Sequence, residues 1–183
     1  MLILIHGICP GDVCFMSKNS SIINGISLIC GIVGALCVFL SRMLSGNPLD
    51  MIHKLDGLNV IPPIWIFNFL SVIWYFLIGA AVGLTLKELN NGHSCGQSAI
   101  AGYRGIAFFL ITFFVCLIWY PTFFSAQAIF ISFVMCLAVC ISAVCCAYNW
   151  FFAKVKIAAL IMTAYSVWSL YILIINLSVL FGI

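Results

Sequence analysis

Residues 62–86 read PPIWIFNFLSVIWYFLIGAAVGLTL. After the double proline the stretch holds no Asp, Glu, Lys, Arg or His. An α-helix needs about 20 apolar residues to cross the hydrocarbon core of a bilayer, and this run is long enough. In lipid, only helices and closed barrels satisfy their own backbone. A barrel strand would be about half this length and would alternate apolar with polar residues. The run does neither, so it reads as a spanning helix. The prolines suit its start, because the N–H they lack has no intrahelical partner there.

Four more runs of the same kind follow from the same test, at about 22–44, 103–120, 125–148 and 157–181. The run before the double proline ends in the turn cluster Ser45-Gly46-Asn47-Pro48, and a polar connection with Asp50, His53, Lys54 and Asp56 leads on. Lys87-Glu88 and Asn90-Asn91-Gly92-His93 open the next break, Pro121 is expected to end the third run, and Asn149 to Lys156 form the last break. The expected fold class is all-α: an integral membrane bundle of five transmembrane helices over residues 21–183, behind a disordered lead of residues 1–20. Residues 2–5 are apolar, but His6, Gly7 and Pro10 stop that run too early for a signal-peptide core. Residues 1–15 therefore read as a disordered lead or an upstream extension ahead of Met16.

Composition agrees: 66% of residues are hydrophobic and 6% charged, too few charges to cover a water-facing surface. A formal net charge of +3, scattered along the chain, excludes a nucleic-acid partner. Cys30, Cys37, Cys116, Cys136, Cys140, Cys145 and Cys146 fall inside apolar runs, where a thiol acts as a small hydrophobe. His6, His53 and His93 share no ligand spacing with them, so neither a metal site nor a resident cofactor is expected. Lys18, Lys87, Arg104, Lys154 and Lys156 would lie on the N-terminal side of the membrane, against Arg42 and Lys54 on the other. That asymmetry predicts a cytoplasmic N-terminus, in the cell membrane.

No ionisable residue stands in the middle of a run, which argues against ion-coupled transport. No base and nucleophile are placed for hydrolysis, so the chain is not expected to be an enzyme. The interior polar groups are mild, among them Asn68, Ser71, Thr112, Ser142 and Asn176, and aromatics make up 15%. This suits a cavity for a large, flat, apolar ligand. Interfacial aromatic belts and small-residue packing between helices are the ordinary alternatives, and composition leaves all of these open.

Three motifs carry a resemblance. Residues 62–81 resemble the pattern PPxWVFxPVWxxLYxxMGxA, with Pro62, Pro63, Trp65, Phe67, Tyr75, Gly79 and Ala81 in register. Trp119, Pro121, Phe123 and Phe124 match WxPxFF. In the fifth run Ala158, Ala159, Tyr165, Trp168 and Asn176 match AAxLLxPYxxWxxFAxxLN. In this order, each on its own span, they resemble the TspO/MBR (translocator protein) family over about residues 22–180. There are departures. Ser71 stands at the second tryptophan of the first motif, with Trp74 almost one helical turn on. Ala164 replaces a proline, Cys116 an asparagine and Thr112 a glutamine. The C-terminal Tyr and Arg of the proposed cholesterol motif are missing, so the resemblance gives sterol binding little support.

The resemblance implies a five-helix bundle, often a homodimer, that binds tetrapyrroles such as protoporphyrin IX or haem and benzodiazepine-type ligands. The cavity is expected near one membrane surface, under the connection between the first two helices. In some bacterial members porphyrin is broken down in light, with tryptophans of the second and fifth helices implicated. The Ser71 departure predicts binding here without efficient breakdown. A membrane scaffold with a collapsed cavity is the remaining reading. Helical spacing places Asn68, Ser71 and Tyr75 on one face, Cys116, Trp119 and Phe123 on another, and Trp168, Ile172 and Asn176 on a third. With Trp65 and Tyr165, these are the expected ligand-binding residues. Gly79 and Gly83 form a GxxxG, expected to serve packing within the bundle first and a dimer interface second.

Overall fold

A computed structural model describes residues 20–45, 64–90 and 96–181. The expected N-terminal lead, and the connection carrying Lys54, lie outside the described residues. Five helices follow in chain order: α1 Ser20–Leu44, α2 Ile64–Asn90, α3 Gln97–Phe124, α4 Ile129–Phe152 and α5 Lys156–Phe181. Each is long and apolar enough to cross a membrane, and there is no strand among the described residues. Large apolar side chains such as Leu36, Phe114, Ile141 and Leu160 point outward and are more than half exposed or nearly so. A water-soluble bundle would bury them; lipid makes their exposure cost-free.

Several bounds differ from those expected. Helix α2 runs on through Lys87-Glu88 to Asn90, and α3 begins at Gln97, after Gly96 at φ +58°. An apolar run marks only the part of a helix inside the hydrocarbon, and helices continue into the polar interface. The third helix does not stop at Pro121 but carries it inside its last turns and ends at Phe124. A proline inside a helix removes the hydrogen bond to the carbonyl four residues back, here that of Leu117. The Ser41 hydroxyl of α1 donates to that carbonyl at 2.7 Å. The freed acceptor is thus satisfied from a neighbouring helix, which is how prolines are tolerated in spanning helices.

Helix α1 packs along α2, α3 along α4, and α4 along α5, while α2 also meets α5 and α1 touches α3. The α1–α2 contact depends on backbone proximity. A Cβ at Gly79 would overlap the Cys30 carbonyl, and one at Gly83 would overlap Ser27. The GxxxG therefore serves packing inside the bundle. The α3–α4 contact carries polar links: Thr112 and Ser142 hydroxyls lie 2.8 Å apart, and the Cys146 thiol donates to the Gly105 carbonyl at 3.1 Å. The turn from α4 to α5 closes with Lys154 at φ +65° and Val155 N–H donating to the Trp150 carbonyl.

The core has two unlike halves. Toward the α2–α3 and α4–α5 connections it is filled by Trp150, Phe109, Met162, Ala158, Ala159 and Cys146. Toward the α1–α2 and α3–α4 connections a cavity opens that all five helices line.

Candidate ligand-binding site

Each helix brings a short segment to this cavity. Helix α1 contributes Val38, Ser41 and Arg42 from its last turns; α2 contributes Ser71 and Tyr75, one turn apart. Helix α3 adds Cys116, Trp119 and Tyr120, just before its internal proline. Helix α4 adds Cys136 and Val139, and α5 adds Tyr165, Trp168, Ser169 and Ile172. The lining is aromatic and aliphatic, with a few hydroxyls, two thiols and one guanidinium.

The polar groups are tied to the frame. The Cys116 thiol and Tyr165 hydroxyl meet at 3.2 Å, joining α3 to α5. Arg42 places its guanidinium carbon 5.1 Å from the centre of the Tyr120 ring, and its Nη1 donates to the Asn68 carbonyl at 2.8 Å. Aromatic side chains buttress the walls. Trp119 stacks on Phe123 with centroids 5.3 Å apart, and Trp168 stacks on Trp74 at 6.4 Å. Trp74 also meets Tyr165 edge-on at 5.9 Å. Among the described residues no cluster of His, Cys, Asp or Glu has the makings of a metal site.

Of the residues expected at a site, the structure brings Ser71, Tyr75, Cys116, Trp119, Tyr165, Trp168 and Ile172 to the cavity wall. It leaves out four. Trp65 is 68% exposed at the start of α2, where an indole suits the membrane interface. Asn68 is not in the wall and meets the lining through its backbone carbonyl, which accepts from Arg42. Phe123 lies behind Trp119, buried in a separate aromatic group with Phe124. Asn176 is fully buried, its amide donating to the Ile172 carbonyl, a bond within α5. A helical face is wider than a cavity, so residues one or two turns from the centre fall behind the wall or past its rim.

Sequence reasoning did not pick out α1 at all. Arg42 counted there as an interfacial charge, whereas its side chain turns inward over Tyr120. The available signal was its position, in the last turn of a span whose other described residues are uncharged. Ser169 follows Tyr165 at i+4, which spacing alone would have suggested.

The space open to the centre of a water molecule is about 50 Å³. A single water needs roughly 10–15 Å³ on that measure, so the cavity admits only a few. Ligands of drug size occupy pockets of roughly 300–1,000 Å³. A macrocycle therefore enters only if the lining helices move apart.

These features define a class: a five-helix membrane bundle with an aromatic-walled cavity in one half, toward the end where α1 stops and α2 begins. The sequence profile of the TspO/MBR family matches residues 26–181. The chain belongs to the TspO/MBR family. No curated protein and no solved structure matches it significantly.

Proposed function

We propose that this protein binds a tetrapyrrole of the protoporphyrin IX or haem type in the cavity between its five helices, as a sensor, scavenger or translocator. The observation that carries the reading is the pairing of Trp119 and Trp168 on the wall of one cavity, each backed by a second aromatic ring. Indoles held in this way offer flat, apolar, polarisable surfaces to a flat ligand. Ring hydroxyls of Tyr75, Tyr120 and Tyr165 supply hydrogen bonding at the wall. The site acts in a cell membrane with the N-terminus in the cytoplasm, and pairing of two bundles into a homodimer is compatible with it.

The test is a titration of detergent-purified protein with protoporphyrin IX in the dark, followed by tryptophan quenching, beside the Trp168→Phe variant. Saturable binding, weaker in the variant, is expected. A folded, helical protein with no saturable binding would remove this function and leave a membrane scaffold, a role that the narrowness of the cavity also fits.

The Trp74–Trp168 stack favours one second reading, light-dependent breakdown of the bound porphyrin. Ser71 vacates the family's tryptophan position, yet Trp74 brings an α2 indole against the α5 indole. Protein-dependent loss of the Soret band under illumination, abolished by Trp74→Phe, is the outcome that supports it. An unchanged band excludes it without touching dark binding.

A further inference from the structure

Arg42 is the one charged residue among those described in the cavity wall. Its Nη1 is used by the Asn68 carbonyl, and its face by Tyr120. Its Nε and Nη2 are buried and meet no acceptor among the described residues. Glu88, the one acidic residue among those described, lies roughly 30 Å further along α2 from Asn68 at 1.5 Å per residue, and Asp50 and Asp56 of the α1–α2 connection lie outside the described residues. A buried cation with unmade hydrogen bonds is costly, and more so inside a membrane.

The two open nitrogens are not an arbitrary pair. Nε and Nη2 share one edge of the guanidinium and point their hydrogens in parallel, which is the fork that fits both oxygens of a carboxylate. The third unpartnered buried polar atom on a cavity-lining residue is Trp119 Nε1, again a donor. The orphaned groups that can accept, Asn68 Oδ1, Asn176 Oδ1 and the Ser27 and Ser132 hydroxyls, belong to residues that do not line the cavity. Among the described residues, the unmet polar demand of the wall is thus for acceptors, and at Arg42 for a negative one.

We propose that Arg42 holds a carboxylate of the ligand inside the cavity, so that the site prefers a flat apolar acid over its neutral counterpart. The inference rests on the reading of the cavity as a tetrapyrrole site, and it deepens that reading. Protoporphyrin IX and haem carry two propionates on one edge of an apolar ring. One propionate at Arg42 leaves the macrocycle to lie toward Trp119 and Trp168. The same edge of Arg42 also fits the phosphate of an anionic lipid, and the test distinguishes the two sources.

The experiment compares protoporphyrin IX with its dimethyl ester, which keeps the ring and removes the charge. Both are titrated in the dark in uncharged detergent, with wild type, Arg42→Gln and Arg42→Lys. Arg42→Gln keeps an amide for the Asn68 carbonyl, and Arg42→Lys keeps the charge without the fork. Wild type is expected to prefer the diacid by about ten- to hundredfold, the range for hydrogen bonds to charged groups. Arg42→Gln abolishes that preference, and Arg42→Lys restores part of it.

Equal binding of diacid and ester by wild type overturns the proposal while leaving tetrapyrrole binding in place. It needs no variant, so misfolding cannot obscure it. Failure of both porphyrins to bind overturns the tetrapyrrole reading and the proposal with it. Repeating the wild-type titrations with phosphatidylglycerol or phosphatidylcholine added identifies the source. If phosphatidylglycerol alone removes the preference for the diacid, Arg42 serves a lipid headgroup and the proposal fails.

Discussion

The two halves of this bundle are built from the same residue types and end up with opposite properties. In one half, Trp150 is fully buried, stacks on Phe109 at 6.4 Å, and lies so close to Gly105 that a Cβ there would overlap its indole. Small residues in the same core, Ala143 on its own helix and Ala158 and Ala159 on α5, let the backbones close around it. In the other half, Trp119 and Trp168 face a shared space instead of a glycine. Large side chains from neighbouring helices meet there, including Tyr75, Tyr120 and Tyr165, and their bulk holds the helices apart. A tryptophan opposite glycine makes a seal; tryptophans among tyrosines make a wall. In a membrane, where helices gain little from leaving lipid, packing of this kind decides which half is solid.

The sharpest way to break the comparison is to empty the solid half. Trp150→Ala should cost on the order of 3 kcal/mol from the void it leaves. Thermal unfolding in detergent should register that loss. If stability hardly changes, the solid half is not what holds the bundle together.

Gly79→Leu attacks the contact between α1 and α2, on which the open half depends for Arg42. Its side chain meets the backbone of α1 at Cys30, and overpacking of this kind costs about 1–3 kcal/mol. Because α1 carries Arg42, porphyrin binding should fall along with stability. Binding that survives a measured destabilisation would show that α1 is not needed for the cavity.

Ser41→Ala tests the proline repair. It leaves the Leu117 carbonyl without its donor at the edge of the cavity, at a cost of about 1–3 kcal/mol for an unmet buried acceptor. Adding Pro121→Ala restores the helical N–H and should recover most of the loss. Two losses that simply add would show that Ser41 and Pro121 are not coupled.

The smallest effect on stability is expected at the open wall. Trp168→Phe keeps an aromatic ring and should shift the unfolding midpoint little, while weakening dark porphyrin binding by about 0.5–1.5 kcal/mol, the worth of an aromatic pair. A large drop in stability with unchanged binding would make Trp168 a packing residue like Trp150.

The spans were legible because a spanning helix announces itself by length and by the absence of charge, and both can be counted along the chain. Ser71, Tyr75, Trp119 and Trp168 could be proposed for a site because they fall within the motif stretches and helical spacing puts each on a face with other polar or aromatic residues. Trp65 and Phe123 belong to the same motifs and lie outside the cavity, since a motif records what a family retains and not which side of a helix faces a space. Arg42 was missed for a different reason. A charge in the last turn of a span can point to the interface or fold inward, and only Tyr120 and the Asn68 carbonyl on other helices show that it does the latter.

By itself, then, the sequence determined that the chain is an all-helical membrane bundle, since hydrophobicity and backbone satisfaction in lipid are properties of each segment alone. The tertiary structure decided which half is solid, that Ser41 makes Pro121 tolerable, and that a guanidinium edge with no partner among the described residues lines the cavity. Each of these depends on distances between helices, which are set by the side chains that meet across them.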